Sequence, residues 1–499
     1  MYPSPKCRYL RLYMSNKFQV RYGTHCCLSN ILSITDYHYE NVSLRLNTTS
    51  FYINKLSMIS VNLLAFTVGA NQGWSSPVIP KLRGTDQNPL PSPITEDEES
   101  WIGSLLSLGG AFGCFPYAFI SNTLGRKISL IAIGVPFVAA FLMAAFAENV
   151  ALFYVARILS GLSLGGTFAI VPTYVAEISE TSIRGTLSSI MNNLISTGMM
   201  VSYCLGPYVS VRVFTLVLTS APVAFLITSL FIPESPYYLI GKKRHESAEN
   251  SLMVLRKSDV ETVQEELEEM KRGVEKDRES PGTFVDIFRT RATRKALLIS
   301  ILLVLFQQMS GINVIQYYAQ TIFETASETV PDEVYPMIIG AVQLAACFIA
   351  PLAVERLGRK KLLIISAVGM TVSEVPMGLY FYLQDEGNDV KNLVWLPIVA
   401  LVVYVVSFHS GFGPLPWTVM AEIFPENVKA AASSATVFSC AVISFLTTRF
   451  FNSVSVHVGL GGAFWIFSGF NLAAIFFTYF VVPETKGRTF QEIQKILSS

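Results

Sequence analysis

Gln307, Gln308, Asn313 and Tyr317 lie inside one long apolar run. The asparagine follows the glutamines by about a turn and a half and the tyrosine comes about one turn further on, so all four are expected along one side of a single helix. Amides and phenols donate and accept hydrogen bonds without carrying charge. In lipid they are expensive unless they face a cavity or a partner. Two uses fit: hydrogen bonds between helices, or a site for a neutral ligand. Other chemistry lacks a counterpart in the sequence. There are no paired carboxylates near such a run, no Ser/His/Asp arrangement and no phosphate loop. Cys114, Cys204, Cys347 and Cys440 lie inside apolar runs, and Cys7, Cys26 and Cys27 precede them without metal-site spacing. The glycine-rich stretch from Leu159 to Gly166 is also inside an apolar run, where close helix packing explains it better than nucleotide binding. Neither an enzyme nor a cofactor- or metal-binding protein is expected.

The elements that must hold these side chains follow from composition. Of 499 residues, 51 % are hydrophobic and 15 % charged, and the mean hydropathy is +0.44. A soluble domain this apolar would expose much of its apolar surface to water. The net charge of +1 carries no basic excess for nucleic acid. A hydrocarbon layer about 30 Å thick needs about 20 apolar helical residues. Twelve runs of that kind are present: Leu56–Val78, Trp101–Ser121, Ile128–Ala147, Ala151–Thr173, Ile183–Tyr208, Val213–Ile232, Ala296–Tyr318, Tyr335–Val354, Leu362–Leu383, Leu393–Trp417, Ala430–Phe451 and Gly461–Val482. Each is too long for a strand, and a helix satisfies its own backbone in lipid. The expected fold class is an all-α membrane protein of twelve transmembrane helices.

Charge orients the bundle. Arg126, Lys127, Arg356, Arg359, Lys360, Lys361, Lys486 and Arg488 follow spans two, eight and twelve, whereas Glu96–Glu99, Glu324, Glu328, Asp332, Glu333, Asp385, Glu386 and Asp389 lie at the opposite ends. Lys and Arg stay on the cytoplasmic side, so both termini are expected there. Residues 241–295 hold about a third of all charges and read as a soluble helical insert, with Glu261–Lys276 at helical charge spacing. Residues 1–55 are rich in Tyr, Arg and Lys and lack a signal peptide's apolar core. They read as a cytoplasmic tail, which would leave the sequons at Asn41 and Asn47 unglycosylated.

The insert separates two halves that resemble each other. Leu124-Gly-Arg-Lys127 recurs as Leu357-Gly-Arg-Lys360, Ala176-Glu-Ile178 as Ala421-Glu-Ile423, and Pro233-Glu234 as Pro483-Glu484. Each repeat follows the equivalent span of its half: second, fourth or sixth. A duplicated six-helix unit is implied, with a ligand between the halves near the midplane. The domains are therefore residues 1–55 (tail), 56–240 (first half), 241–295 (linker), 296–482 (second half) and 483–499 (cytoplasmic C-terminal tail).

These residues carry a resemblance. Asn122-Thr-Leu-Gly-Arg-Lys127, Pro172-Thr-Tyr-Val-Ala-Glu177, Arg184-Gly185, Pro233-Glu-Ser-Pro236, Gln307-Gln-Met-Ser-Gly-Ile-Asn313, Glu355-Arg-Leu-Gly-Arg-Lys360, Gly413-Pro-Leu-Pro-Trp417 and Pro483-Glu-Thr-Lys-Gly-Arg488 are similar to the sugar porters of the major facilitator superfamily, over roughly Leu56 to Ile496. Gly73-Trp-Ser-Ser-Pro77 and the stretch from Pro91 to Ser104 resemble the insect branch of facilitated trehalose transporters.

The resemblance implies a plasma-membrane carrier for trehalose or a hexose, working by alternating access in a lipid bilayer, as a monomer and without a cofactor. It implies that Gln307, Gln308, Asn313 and Tyr317 bind sugar, together with Asn192, Gln343, Gly413 and Trp417. His409 stands where the family has a glutamate and reads as a ligand, gate or core residue. Cys440–Ala441 replace a frequent asparagine and tryptophan. Gating ion pairs are implied for Arg126, Lys127, Glu177 and Arg184 in the first half, with Arg157 expected to join them, and for Glu355, Arg359, Glu422 and Lys429 in the second. In the family such pairs bridge the halves when the inner side is shut. Proton symporters have an aspartate where this chain has neutral Asn71, so facilitated diffusion is expected. The alternatives are a proton-coupled symporter and a non-transporting sugar sensor. Glu374, in mid-span, reads as a protonated or paired structural group.

Overall fold

A computed structural model describes residues 57–84, 88–179, 184–256, 260–279, 284–324, 331, 333–488 and 490–498. The tail and its two sequons lie outside them. The runs fold as helices: α1 over residues 57–83, then α2 (Glu96–Thr123), α3 (Arg126–Ala145), α4 (Val150–Ile178), α5 (Arg184–Leu205) and α6 (Val211–Ser229). The insert supplies α7 (Pro236–Gly241), α8 (His245–Arg256) and α9 (Val260–Glu279). There follow α10 (Arg291–Met309), α11 (Ile312–Glu324), α12 (Val334–Leu357), α13 (Arg359–Asp385), α14 (Trp395–Ser410), α15 (Leu415–Ile423), α16 (Glu426–Phe480) and α17 (Phe490–Ser498).

α16 turns at Gly459, where φ is +74°, into limbs over residues 426–458 and 460–480. Counting α10 with α11 and α14 with α15, the described helices make twelve rods in the expected order. Two of the rods are not continuous helices. The seventh is broken at Ser310–Gly311, where Gly311 has φ +80°. Gln307 and Gln308 therefore end one helix, and Asn313 and Tyr317 begin another. The tenth rod is broken between Ser410 and Leu415, as its Gly-Pro-Leu-Pro sequence suggests.

Local sequence sets the helix starts. Thr95 caps α2 with Glu98 returning the bond to the Thr95 amide at 2.8 Å, a reciprocal capping box. Asn149, Ser210 and Thr290 cap α4, α6 and α10 with side-chain oxygens. The glycine-rich part of α4 is a packing seam. A Cβ on Gly161 would lie 2.4 Å from the Leu106 carbonyl oxygen, and one on Gly165 2.2 Å from that of Gly110. α2 and α4 thus approach backbone to backbone, as small residues allow. Outward faces carry exposed Phe119, Phe231, Phe348 and Phe480, which suits lipid. The insert packs its own small core from Leu239, Ile240, Leu252, Val263, Leu267 and Met270.

The repeated motifs make one device twice. Gly125 (φ +116°) and Gly358 (φ +84°) precede α3 and α13. The four free amides at a helix start need acceptors, and here a distant carboxylate supplies them. Glu234 accepts from the Arg126 and Lys127 amides at 2.9 and 3.2 Å. Glu484 accepts from those of Arg359 and Lys360 at 3.0 and 3.1 Å. A Cβ on Gly125 would sit 2.2 Å from Glu234 Oε2, so the glycine makes room for the cap.

The two carboxyls are tuned oppositely. Burial pushes Glu234 up, and the amides of Ser235, Lys127 and Arg126 only partly offset it. Burial also pushes Glu484 up, but the amides of Lys486, Arg359, Lys360 and Thr485 together hold it below its ordinary value. A raised carboxyl contributes most below the ordinary carboxylate range and loses that contribution as pH rises through its folded value. A lowered one contributes above that range and loses its contribution as pH falls. At pH 7, Glu484→Gln is expected to lower the melting temperature in detergent more than Glu234→Gln. The gap should narrow towards pH 4.

Two glycines give a second contrast. Gly311→Ala is expected to destabilise by roughly 1–2 kcal/mol from its backbone alone, and further because Phe467 Cδ2 lies 2.6 Å from the new Cβ position. Gly273→Ala, in α9 with open space around it, should stabilise by about 0.5–1 kcal/mol. Thermal melting of the purified variants checks both.

Candidate functional site

The two helix breaks face each other. A break inside a membrane leaves backbone carbonyls that need donors. Gln307 Nε2 supplies them, donating to the Phe412 and Gly413 carbonyls of the tenth rod at 2.7 and 2.8 Å. Tyr404 donates its hydroxyl to the Ser310 carbonyl at 2.8 Å, fixing the other break. Sequence alone puts amides near these breaks; the packing makes each break the partner of the other.

From Gln307 a polar chain runs across the molecule. Gln308 Nε2 donates to Gln307 Oε1 at 3.2 Å and to Cys440 Sγ at 3.1 Å. Asn313 Nδ2 donates to Gln308 Oε1 and, at 2.8 Å, to Ser444 Oγ. Ser444 shares a 2.8 Å hydrogen bond with Ser107 of α2, and Tyr317 interacts with Ser107 and Gln72. Alongside, Gln316 Nε2 donates to Gln343 Oε1 at 3.4 Å, and Gln343 Nε2 donates to Ser196 of α5 at 3.2 Å. Gln307, Gln308, Asn313, Gln316, Tyr317 and Gln343 are all buried. These are neutral groups with both donors and acceptors. They can exchange partners with a hydroxylated ligand, each exchange worth a net ~0.5–1.5 kcal/mol.

The structure thus joins Gln307, Gln308, Asn313, Tyr317 and the Gly413 carbonyl in one network, with Gln343 beside it. It leaves three expected residues outside those bonds. Asn192 is exposed on α5, one turn before Ser196. Trp417 packs half-buried against the apolar core. His409 stands edge-on to Phe408 at 5.2 Å, and its buried Nε2 has no hydrogen-bond partner among the described residues. Sequence reading missed Ser107, Ser196, Gln316 and Ser444. Serines in membrane helices are ambiguous because their hydroxyls can bond the preceding turn, as Ser104 does to the Ser100 carbonyl.

Arg157 requires a correction. It does not join Glu177 and Arg126, from which twenty residues of α4, about 30 Å of helix, separate it. It is buried near the opposite end, donating to Asn71 Oδ1 at 2.9 Å, Ser75 Oγ at 2.8 Å and the Ile102 carbonyl at 2.9 Å. Its guanidinium lies 5.4 Å from the Trp74 ring centroid. Asn71, which the resemblance sets at the coupling position, therefore accepts from a buried cation.

At the basic end, Arg126 pairs with Glu177 at 2.9 Å and Arg359 with Glu422 at 2.7 Å. Each pair lies within its own set of six rods instead of bridging the two. Lys127 donates to the Leu230 carbonyl at 2.8 Å, and Lys429 is half-buried on the first turn of α16. The side chains of Arg184 and Glu355 lie outside the described residues. Glu374 is wholly buried and accepts from Asn471 Nδ2 at 2.8 Å, a paired group. No cluster of three or more His, Cys, Asp or Glu that could hold a metal occurs among the described residues.

Comparison with known proteins agrees with this architecture. The profile described as "Sugar (and other) transporter" matches residues 57–497. A facilitated trehalose transporter of Polypedilum vanderplanki is 34 % identical over 452 residues, covering 90 % of this chain and 89 % of that protein. Its counterpart in Anopheles gambiae is 33 % identical over 456 residues, covering 90 % of this chain and 57 % of the longer mosquito protein. Among solved structures, the inward-open xylose transporter XylE of E. coli superposes with a TM-score of 0.73 at 23 % identity, over 88 % of this chain and 98 % of that one. XylE bound to a bromodeoxyglucose gives 0.70 at 24 %, over 89 % of this chain and all of that one. With its all-helical twelve-rod architecture and its paired motifs, the chain is a multi-pass membrane transporter, not an enzyme, and belongs to the sugar porter family of the major facilitator superfamily.

Proposed function

We propose that this protein moves an uncharged sugar, trehalose or a hexose, across the plasma membrane by facilitated diffusion. The observation carrying this reading is the buried neutral network linking Gln307, Gln308 and Asn313 to two broken rods. It offers many modest hydrogen bonds and no fixed charge, which suits a polyhydroxylated solute that must be released as well as bound. Gln343, Tyr317 and the Gly413 carbonyl complete the site. Asn192, His409 and Trp417 meet sugar as the halves move. The names of the insect relatives favour trehalose; Cys440 in place of an amide makes the pocket distinct from that of a glucose carrier.

The bundle works as two units, residues 56–240 and 296–482, joined by the insert 241–295, and acts as a monomer. The basic end is cytoplasmic, with both termini there. When that end shuts, Arg126, Lys127, Glu177 and Arg184 exchange partners with Glu355, Arg359, Glu422 and Lys429. Partners are exchanged and not simply lost, so no charge is stranded, which suits a lock that opens every cycle. Coupling to protons is disfavoured because Asn71 beside Arg157 cannot take up or release a proton.

Uptake of labelled glucose and trehalose in a sugar-transport-null cell tests the reading. A protonophore at fixed external pH and voltage should leave initial uptake unchanged; strong collapse would establish symport instead. Gln307→Ala should weaken apparent affinity about three- to thirtyfold, the loss of one or two hydrogen bonds, at normal surface expression. Loss of surface expression would instead assign the amide to helix packing. Absence of counterflow in proteoliposomes that still bind sugar would favour a sensor.

A further inference from the structure

The acidic run at the start of α2 does more than orient the chain. Glu98 caps its own helix. Glu99 is fully buried and pairs with Arg83 of the neighbouring α1 at 2.6 Å. Asp97 points elsewhere: its carboxylate accepts from Arg449 Nη2 on the first limb of α16. That bond joins the first six rods to the last six. The Arg449 guanidinium also lies 4.6 Å from the ring centroid of Trp101, one turn along α2 from Asp97. Trp101 in turn meets Phe445 at 6.2 Å, and Ser107 meets Ser444 below. The seam between α2 and α16 is thus stitched from the acidic end down to the polar network.

We propose that Asp97 and Arg449 form an ionic latch that holds the acidic end shut, with Trp101 as the platform that keeps Arg449 in place. The proposal rests on the alternating-access reading. At the basic end the Arg126–Glu177 and Arg359–Glu422 pairs stay within their sets, whereas at the acidic end the Asp97–Arg449 pair crosses. Opening the acidic end must break it. The burial pattern suits such a bond. The Asp97 side chain is 67 % exposed and Arg449 16 %, so on release the carboxylate returns to water and the guanidinium keeps its ring contact. No buried charge is stranded.

The test uses the full-length chain with its cysteines replaced by alanine, reconstituted in liposomes, with Ser107→Cys as reporter. Labelling by a membrane-impermeant maleimide is followed from the acidic-loop side. Asp97→Asn should speed labelling about two- to fivefold, the range of one exposed ion pair. Arg449→Gln should speed it more, about tenfold, because the ring contact goes too. Arg449→Lys should stay near the parent rate. The charge-swapped double variant, Asp97→Arg with Arg449→Asp, should return towards the parent rate, while each single reversal does not. The ratio of entry to exit KM should shift in Asp97→Asn and recover in the swap. Unchanged labelling in both Asp97→Asn and Arg449→Gln would overturn the latch, and so would a swapped variant as fast as the single reversals. Rapid labelling of Arg449→Lys would assign the closure to ring packing and overturn an ionic latch. Labelling does not require flux, so a parent protein that carries no sugar refutes the transport reading and leaves the latch comparison intact.

Discussion

A backbone in lipid must find its hydrogen-bond partners within the protein, and this constraint shapes the whole molecule. Where the seventh and tenth rods break, each exposes carbonyls that water would satisfy in a soluble protein. Here Gln307 satisfies Phe412 and Gly413, and Tyr404 satisfies Ser310. The need to close those bonds brings the two broken rods together. The same closure gathers neutral amides at one place, because only neutral donors and acceptors can be buried there without a counter-ion. The polar network is in this sense a by-product of irregular backbone at membrane depth.

The two ends of the bundle obey different rules. At the basic end, a carboxylate from after the sixth or twelfth rod caps the helix start of the third or ninth. An arginine of that start then pairs with a glutamate at the foot of the fourth or tenth. Each set of six is thereby braced internally. Contacts between the sets start at the acidic end with Asp97 and Arg449, run inward along α2 and the first limb of α16 to Phe112 and Phe115 against Phe438, and follow α5 and α12 through Ser196 and Gln343. Among the described residues, the ion pairs at the basic end stay within each set, whereas the acidic end carries one that crosses.

Much of the fold was legible because lipid makes hydropathy decisive. The apolar runs became rods in order, the charged insert became separate helices with their own core, and the glycine-rich stretch of α4 became a packing seam. The repeats Gly125-Arg126 and Gly358-Arg359 were visible, but not the reason that Glu234 and Glu484 recur with them. That reason is a cap spanning more than a hundred residues of chain. Arg157 was placed with the wrong cluster because charge type reveals no depth; its position along α4 decides its partners.

The sequence by itself determined that the chain is a duplicated helical membrane protein, which face of each loop is basic, and which amides stand in apolar surroundings. These follow from transfer energies that depend on residue type and local spacing alone. Only the tertiary structure decided that the seventh rod breaks at Gly311, that Ser107 and Ser444 extend the polar network across the molecule, and that Asp97 reaches Arg449. Those outcomes depend on which surfaces meet, and a hydroxyl or carboxylate has several local partners of nearly equal energy until a neighbouring rod removes the choice.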